Sequence, residues 1–387
     1  MISKRPRSLS QTREACTPCA RPPSHAHTLR FLSVGAAFTV LGLMLAACSS
    51  IGPGTVPRDR IDYVNALSDS WKNQMLLNIV RLRYADAPTF MDISSVIAAY
   101  TMQGSAQAGG AAALGASGPA TGTASLGVGA GYNDRPTISY TPLSGVKFAK
   151  SLLEPIPPAA IFSLIAAGYP AKFVLPVTVR ALNGIYNRSM AGGERRPSDP
   201  EFYPLVEAFQ RIQLSRAFNL RIDKREDEAV AIATFAPRLD PEVQRDIEFV
   251  RKTLNLKSEN GEVLLNNSAL QQSPNELAVL SRSMIEIMSE LSSDIEVPAE
   301  DASDGRTYAT PEPPANASPY DQPRVRIHSG SSPPGDAFTS ARYRDHWYWV
   351  SDQDFDSKRS LTFLLLFFSL AETGVVPEAP VLTIPVQ

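Results

Sequence analysis

Residues 219–235 read NLRIDKREDEAVAIATF, two apolar, strand-like runs on either side of a charged centre. The runs at 219–223 and 229–235 carry the alternating and β-branched residues that are typical of strands. The five charged residues at 224–228 are typical of an exposed turn between them. The stretch therefore predicts an antiparallel β-hairpin.

Helix-like and strand-like segments surround this hairpin without a regular repeat. The predicted elements are a strand at 172–182, helices at 199–216, 240–254 and 275–291, and a strand at 262–265. Asp199 before Pro200 and Asp240 before Pro241 are helix-start signals. Because helices and strands mix without a βαβ order, the sequence predicts an α+β fold of helices and short antiparallel strands.

The C-terminal third begins with a change of composition. Residues 298–336 are rich in proline among serine, aspartate and glycine, which predicts a Pro-rich linker or loop inserted in the fold. After it come an aromatic strand at 343–350, a helix at 356–372 and a closing strand at 381–386. The apolar run 361–370 is too short to cross a bilayer, so this helix is predicted to be buried core.

Residues 103–131 consist mostly of glycine, alanine, serine and threonine. Few large apolar side chains are available there to offset the entropy cost of ordering, which favours a low-complexity loop. In the second half, however, residues 124, 126, 128, 130 and 132 are apolar or aromatic and alternate with small polar ones. That alternation is typical of a lipid-facing strand, so residues 97–140 form an alternative membrane β-hairpin.

The N-terminal region carries the most specific motif of the chain. Arg30 precedes an apolar run at 31–44, and Leu45, Ala46 and Ala47 then lead directly to Cys48 and two serines. The apolar run has the length of a signal peptide rather than of a membrane-spanning helix. The alternative interpretation of this region is an ordinary secretory signal peptide that is cleaved at another position, so that Cys48 remains a free thiol.

This arrangement resembles the lipobox of bacterial lipoproteins. The resemblance implies that residues 1–47 are a type II signal peptide, that Cys48 carries diacylglycerol and palmitate, and that residues 48–60 are a lipid-anchored tether. Ser49 stands where aspartate would favour retention in the inner membrane. By the same resemblance the protein is expected at the outer membrane, on its periplasmic side, rather than at the inner membrane.

Cysteine usage and charge exclude several functions for the mature part. Two of the three cysteines, Cys16 and Cys19, lie in the leader without the strand and helix of a redox motif, and the third is Cys48. No cysteine therefore remains for a disulfide, a zinc site or a thiol nucleophile. The leader holds six of the 37 basic residues and one of the 39 acidic ones, so the rest is acidic. This balance argues against nucleic acid as a partner.

Three patterns are candidates for chemistry, and each has a structural interpretation that we favour. Ser144 and Lys147 match Ser-x-x-Lys, but the other motifs of penicillin-binding enzymes are missing. Asp352, Asp354 and Asp356 alternate as in a calcium loop, but Ser357 replaces its glycine, so we predict helix capping. His328 and His346 are the two histidines of the mature part, and the aromatic setting of His346, beside residues 347–349, suits a packed core or a stacking surface as well as a proton shuttle.

The first predicted helix, at 62–84, offers a fourth candidate. Trp71 lies on its apolar stripe, and Arg81, Arg83 and Tyr84 gather at its last turn. A tryptophan in that position is usually core, and arginine in a last turn usually serves the helix dipole. We therefore predict structural roles for all four.

The sequence thus predicts a signal peptide at 1–47, a tether at 48–60 and a main body at 61–297. A linker or loop at 298–336 and a strand-helix-strand at 337–387 complete that body. The body resembles proteobacterial lipoproteins of unknown function, which supports an intact fold and adds nothing about function. No cofactor or metal is expected.

The favoured function is a structural or partner-binding envelope protein that faces the periplasm, bound to the membrane through Cys48. Its expected partner is another envelope protein or a second copy. The first alternative is a subunit of an oligomeric outer-membrane pore or export complex that uses residues 97–140. The second is an enzyme acting on the cell wall or on lipid, because sites assembled from distant residues leave no local pattern.

Overall fold

The computed structural model describes residues 56–97, 100–113, 121–134, 136–190, 196–225, 228–236, 240–258, 261–311, 320 and 322–371. Cys48, the lipobox residues Leu45, Ala46 and Ala47, and the strand predicted at 381–386 lie outside them. Residues Ser68–Gln387 form one compact unit. The described part of the other unit, Met1–Leu67, is the beginning of the first helix.

Helices and strands alternate irregularly along the chain. The helices are α1 (Val56–Arg83), α2 (Val146–Leu153), α3 (Pro158–Ala166), α4 (Ala171–Thr178), α5 (Phe202–Leu214), α6 (Pro241–Thr253), α7 (Met284–Ser293), α8 (Ala299–Ser303) and α9 (Phe355–Ala371). The strands are β1 (Phe90–Ile97), β2 (Tyr100–Ala113), β3 (Thr121–Asp134), β4 (Thr137–Leu143), β5 (Val179–Leu182), β6 (Ile185–Tyr186), β7 (Phe218–Arg225), β8 (Glu228–Phe235), β9 (Glu262–Asn266), β10 (Glu276–Ser281), β11 (His328–Gly330), β12 (Ala337–Tyr343) and β13 (His346–Ser351).

A six-stranded sheet in the order β6-β5-β10-β9-β8-β7 forms the centre of the body. Only β9 and β10 run parallel, and the other neighbours are antiparallel. The hairpin predicted from residues 219–235 is confirmed as β7 and β8, which pair from Phe218 with Phe235 to Arg225 with Glu228. The predicted α+β class is confirmed with it.

A smaller sheet, β11-β13-β12, and helix α9 complete the body. Five large apolar side chains of α9 are buried, namely Leu361, Phe363, Leu364, Phe367 and Phe368. This confirms the prediction that the run 361–370 is core. The stretch predicted as a linker or loop, 298–336, contains α8 and β11, and its Val325 and Ile327 are buried.

Two predicted elements are wrong in type, and a third is wrong in its bounds. Residues 172–182 form α4 followed by β5, and residues 275–291 form β10 followed by α7. The predicted single strand at 343–350 is the end of β12 and the start of β13, joined at Arg344, whose φ is +52°. Segments buried on every side are apolar throughout, so their pattern does not separate a helix from a strand.

The loop interpretation of residues 103–131 is also wrong for the residues described. Strands β2 and β3 pair along their whole length in one antiparallel register, from Tyr100 with Asp134 to Ala113 with Thr121. Backbone hydrogen bonds to a neighbouring strand satisfy peptide groups whatever the side chains are, so a Gly-rich sequence can be extended when it has a partner.

Among the described residues, no helix combines the length and the apolar character needed to cross a membrane.

Candidate functional site

Strands β1 to β4 form an extended antiparallel ribbon, and we call these four strands the ribbon. β1 pairs with β4 and β2 pairs with β3. The pairing of Ile97 with Thr137 is followed, three residues farther on both strands, by that of Tyr100 with Asp134. The register is therefore the same on both sides of residues 98, 99 and 135, which lie outside the described residues.

The ribbon is long enough to span a membrane. β2 and β3 have 14 residues each, and a strand rises about 3.3 Å per residue. A tilted strand needs only about 9–11 residues to cross the hydrocarbon core of a bilayer. β2 and β3 therefore exceed the required length without any contribution from β1 and β4.

One set of alternating ribbon positions is small, uncharged and exposed. The register pairs Ser105 with Gly129, Gln107 with Gly127 and Gly109 with Ser125, and all six residues are exposed. A Cβ atom added at Gly129 would lie 2.9 Å from the Ser105 hydroxyl oxygen. Glycine at that position therefore keeps this face flat.

The other alternating set of positions is apolar in sequence. The register places Ala106 opposite Val128 and Ala108 opposite Leu126. Nearer the body the ribbon also exposes large apolar side chains, and those of Ile97 and Tyr140 are 48% and 55% exposed. The described base of the ribbon, β1 and β4, thus presents several exposed large apolar side chains, as surfaces that contact another protein or a membrane do.

Beyond its base, both long edges of the ribbon are open within the part of the chain that the structure describes. β2 has β3 as its single neighbour, and β1 has β4 as its single neighbour. A lone two-stranded ribbon is at best marginally stable in water. Open edges with free N–H and C=O groups also favour pairing with another strand. The edges of β2 and β3 are therefore able to pair with further strands.

Two side-chain amides of α1 hold the base of the ribbon. The Asn78 amide nitrogen donates to the Thr89 carbonyl at 2.8 Å, and its oxygen accepts from the Thr89 amide at 2.9 Å. One turn earlier on α1, Gln74 makes the same pair of bonds with Met91, at 3.1 and 2.8 Å. Each amide thus takes the place of a neighbouring strand and sets where the ribbon leaves the body.

A cluster of three phenylalanines packs at the base of the ribbon, where the chain enters β1 and where it leaves β4. Phe90, at the start of β1, is buried and stacks on Phe368 of α9 with ring centroids 4.5 Å apart. Phe148 of α2, which follows β4, packs edge-on against Phe90 at 5.8 Å. Trp71 packs edge-on against the same Phe368 at 6.1 Å, which confirms the predicted core role of Trp71.

Changing Asn78 to aspartate is expected to lower the free energy of unfolding of the body. Asn78 is fully buried, and a carboxylate there would face the Thr89 carbonyl without a proton to donate. The expected loss is about 2 kcal/mol, measured by denaturant unfolding. Gln74→Glu, in a less buried setting, is the control and should cost less. Equal stability of the Asn78→Asp and wild-type proteins would contradict the role of this amide.

The end of α1 also enters a buried polar network. The Tyr84 hydroxyl lies 2.6 Å from an Asp301 carboxylate oxygen and 2.6 Å from the Tyr348 hydroxyl. Arg83 is buried as well and donates to the carbonyls of Ser293 at 2.7 Å and Tyr308 at 2.8 Å. Arg83 therefore ties α1 to other elements, whereas the sequence predicted a role in the helix dipole.

The pKa shifts of this network follow from burial and hydrogen bonding. Burial, and then the hydrogen bond to Asp301, raise the pKa of the Tyr84 hydroxyl well above its ordinary value. Burial acts to raise the pKa of Asp301, but hydrogen bonds from Tyr84 and Arg306 outweigh it and leave that pKa below its usual range. The native state therefore favours neutral Tyr84 beside ionised Asp301.

Stability is accordingly expected to fall at both ends of the pH range. Asp301 stabilises the native state above the ordinary carboxyl pKa of about 3.9, and this contribution is lost as the pH falls below it. Neutral Tyr84 stabilises below the ordinary phenol pKa of about 10, and this contribution is lost as the pH rises above it. Denaturant unfolding across pH should show that Tyr84→Phe removes part of the alkaline loss. An unchanged alkaline limb would contradict the assignment.

The structure does not enclose the Ser144 and Lys147 pair in a cavity. Ser144 lies before Gly145, the N-cap residue of α2, and both Ser144 and Lys147 are exposed. In a Ser-x-x-Lys site the serine begins the helix. Here Ser144 precedes α2 and is not part of it.

The three alternating aspartates have separate roles at the start of α9. Asp354 accepts from the Ser357 amide at 3.1 Å and from its hydroxyl at 2.7 Å, which confirms the predicted capping. Asp352 pairs with Lys358 at 2.7 Å, and Asp356 pairs with Arg359 at 2.9 Å. Over the described residues, no cluster of His, Cys, Asp and Glu side chains has the arrangement of a metal site.

Both histidines of the body contact an acidic side chain. His346 lies 2.9 Å from Glu300, and His328 lies 2.9 Å from Glu296 and against the Trp349 ring. These pairs connect the small sheet to the segment that contains α8. The sequence indicated the aromatic setting for His346, whereas the ring contact with Trp349 is made by His328. The acidic partners of both histidines had no signal in the sequence.

The sequence located the ribbon only as an alternative and missed the amide contacts at its base. Gln74 and Asn78 are four residues apart on α1, a spacing common to many exposed helix faces. The chain matches no protein-family model, no curated protein and no solved structure.

Proposed function

We propose that this protein is a lipid-anchored subunit of an oligomeric pore in the outer membrane, with Cys48 as the anchor and the ribbon as its membrane part. The observation that carries the proposal is the single register of β2 and β3 over 14 residues with both edges open. The lipoprotein assignment itself rests on the lipobox, Leu45 to Cys48.

A second copy of this chain is the partner that fits the open edges. In an antiparallel arrangement, the free edge of β2 in one copy can pair with the free edge of β3 in the next. Such a head-to-tail contact repeats and closes into a ring when the rotation between copies allows it. Closure satisfies every strand edge, which a lone ribbon cannot do.

The alternation of the ribbon agrees with the two environments of a pore wall. The apolar positions, which include Leu126 and Val128, would face lipid, and the small uncharged positions around Gly127 would face water. Strands of outer-membrane pores alternate in this way. The body would remain on the periplasmic side, where α1, α2 and α9 hold the base of the ribbon.

The mass of the full-length acylated protein in mild detergent tests the proposal. The protein is purified from membranes, its oligomeric state is measured by light scattering and electron microscopy, and its conductance is measured in planar bilayers. The expected result is a closed ring of several copies that conducts. A monomer or dimer without conductance would contradict the pore and favour a tethered scaffold or a partner-binding protein.

Two variants separate the anchor from the pore. Cys48→Ser should abolish incorporation of labelled palmitate and leave the ribbon unchanged. Deletion of residues 100–134 should abolish rings and conductance but leave acylation and the folding of the body intact. Loss of acylation without loss of rings would show that the two parts of the proposal are independent.

A further inference from the structure

A cavity of about 570 Å³ lies between α4, the segment before β11 and the first turns of α9. Four cationic side chains line it, namely Lys172, Arg324, Arg326 and Arg359, together with the acidic Glu207, Asp354 and Asp356. The volume is that of a site for a small organic molecule. It lies in the body and does not depend on the ribbon.

Two of the four cations are already paired. Arg326 lies 3.5 Å from Asp354, and Arg359 lies 2.9 Å from Asp356. The third acid, Glu207, accepts a hydrogen bond from the Tyr320 hydroxyl. Lys172 and Arg324 therefore have no carboxylate partner among the side chains that the structure describes.

Arg324 lies deeper in the wall than Lys172. Its Nε atom is buried and has no hydrogen-bond partner in the described structure, and its Nη2 atom reaches the Tyr203 hydroxyl only at 3.4 Å. Burial, and then the nearby charge of Arg188, lower the pKa of Arg324 to about 10. A half-buried guanidinium without a counter-charge is unfavourable, and an anion in the cavity would relieve it.

The residues behind Arg324 do not supply the missing charge. Arg188 and Arg282 are buried there, and two acids, Asp294 and Glu290, face them at 3.4 and 3.8 Å. These four charges balance one another. Among the described side chains, Arg324 therefore has no carboxylate within ion-pair distance, and it lies on the wall of a cavity that Lys172 also lines.

We propose that this cavity binds a small ligand that carries an oxyanion, of the phosphate or carboxylate class, paired with Arg324 and Lys172. Guanidinium and ammonium groups form their strongest hydrogen bonds with such oxygens. The aromatic ring of Phe173 and the apolar side chain of Val177 also line the cavity. An organic anion therefore fits better than a bare inorganic ion.

The test uses the full-length protein in a nonionic detergent, with inorganic phosphate and acetate as probes. Heat of binding and thermal unfolding are measured as each salt replaces chloride at constant ionic strength. We expect one site per chain and an unfolding temperature that rises with probe concentration. A short-chain phosphatidic acid, used below its micelle concentration, shows whether a lipid head group binds more tightly than free phosphate.

Variants assign the effect to the cavity. Arg324→Gln should weaken probe binding at least tenfold, Lys172→Gln should weaken it severalfold, and Arg324→Lys should retain part of it. Arg342→Gln, which removes an exposed charge on β12, should bind like wild type. Lack of binding by wild type, or equal binding by the wild-type and Arg324→Gln proteins, would overturn the proposal. Lys172 is exposed, so its variant keeps the test valid if Arg324→Gln does not fold.

Discussion

Arginine in place of Val128 is expected to abolish membrane insertion of the ribbon and leave the body folded. Val128 lies in the middle of β3, opposite Ala106, in the apolar set of alternating positions. Arginine on the lipid face of a membrane strand costs about 2–4 kcal/mol near the bilayer centre. In a ring this cost recurs in every copy, so insertion of the assembly should be lost rather than weakened.

The neighbouring position provides a matched control. Gly127 belongs to the small uncharged set, and a Cβ atom added there would have its nearest contact, the Gln107 carbonyl oxygen, at 3.9 Å. Gly127→Arg therefore adds the same charge to the face predicted to line the pore. We expect it to insert and to change the ion preference of the conductance.

Both variants are measured by flotation with liposomes and by conductance in planar bilayers. Thermal unfolding of each protein shows whether the body is intact. If both arginines prevent insertion, or if both are tolerated, the assignment of one ribbon face to lipid and the other to water is wrong.

Methionine in place of Arg282 is expected to destabilise the body by about 3–5 kcal/mol, the cost of breaking a buried ion pair. Arg282 is 3% exposed and donates to the carbonyls of Pro176 at 2.9 Å, Val177 at 3.1 Å and Arg188 at 2.7 Å. It also lies 3.8 Å from Glu290. Its removal leaves three carbonyls and a buried carboxylate with fewer partners.

A second arginine that contacts the same helix is the control. Arg180 pairs with Glu286 of α7 at 2.9 Å, but the two side chains are 49% and 39% exposed. Arg180→Met should change the free energy of unfolding by about 1 kcal/mol or less, because water screens exposed pairs. Denaturant unfolding compares the two variants, and similar losses for both would contradict the structural role of Arg282.

Local sequence was sufficient for part of the fold. The β7 and β8 hairpin, the core helix α9 and the cap at Asp354 were predicted from period, length and capping residues. Each of these signals acts within a few residues along the chain. The start of α7 also had a local signal that was missed, since Ser283 and Glu286 form a capping box.

Residue types and their spacing were enough for the α+β class, the lipobox prediction at Cys48 and the apolar alternation around Val128. All three depend on residue type and spacing alone. Contacts between distant elements were needed to establish that β2 and β3 pair, that Asn78 and Gln74 hold the base of the ribbon, and that Arg324 has no carboxylate partner among the described side chains. These features depend on contacts between residues distant in sequence, and such contacts leave no periodic pattern along the chain.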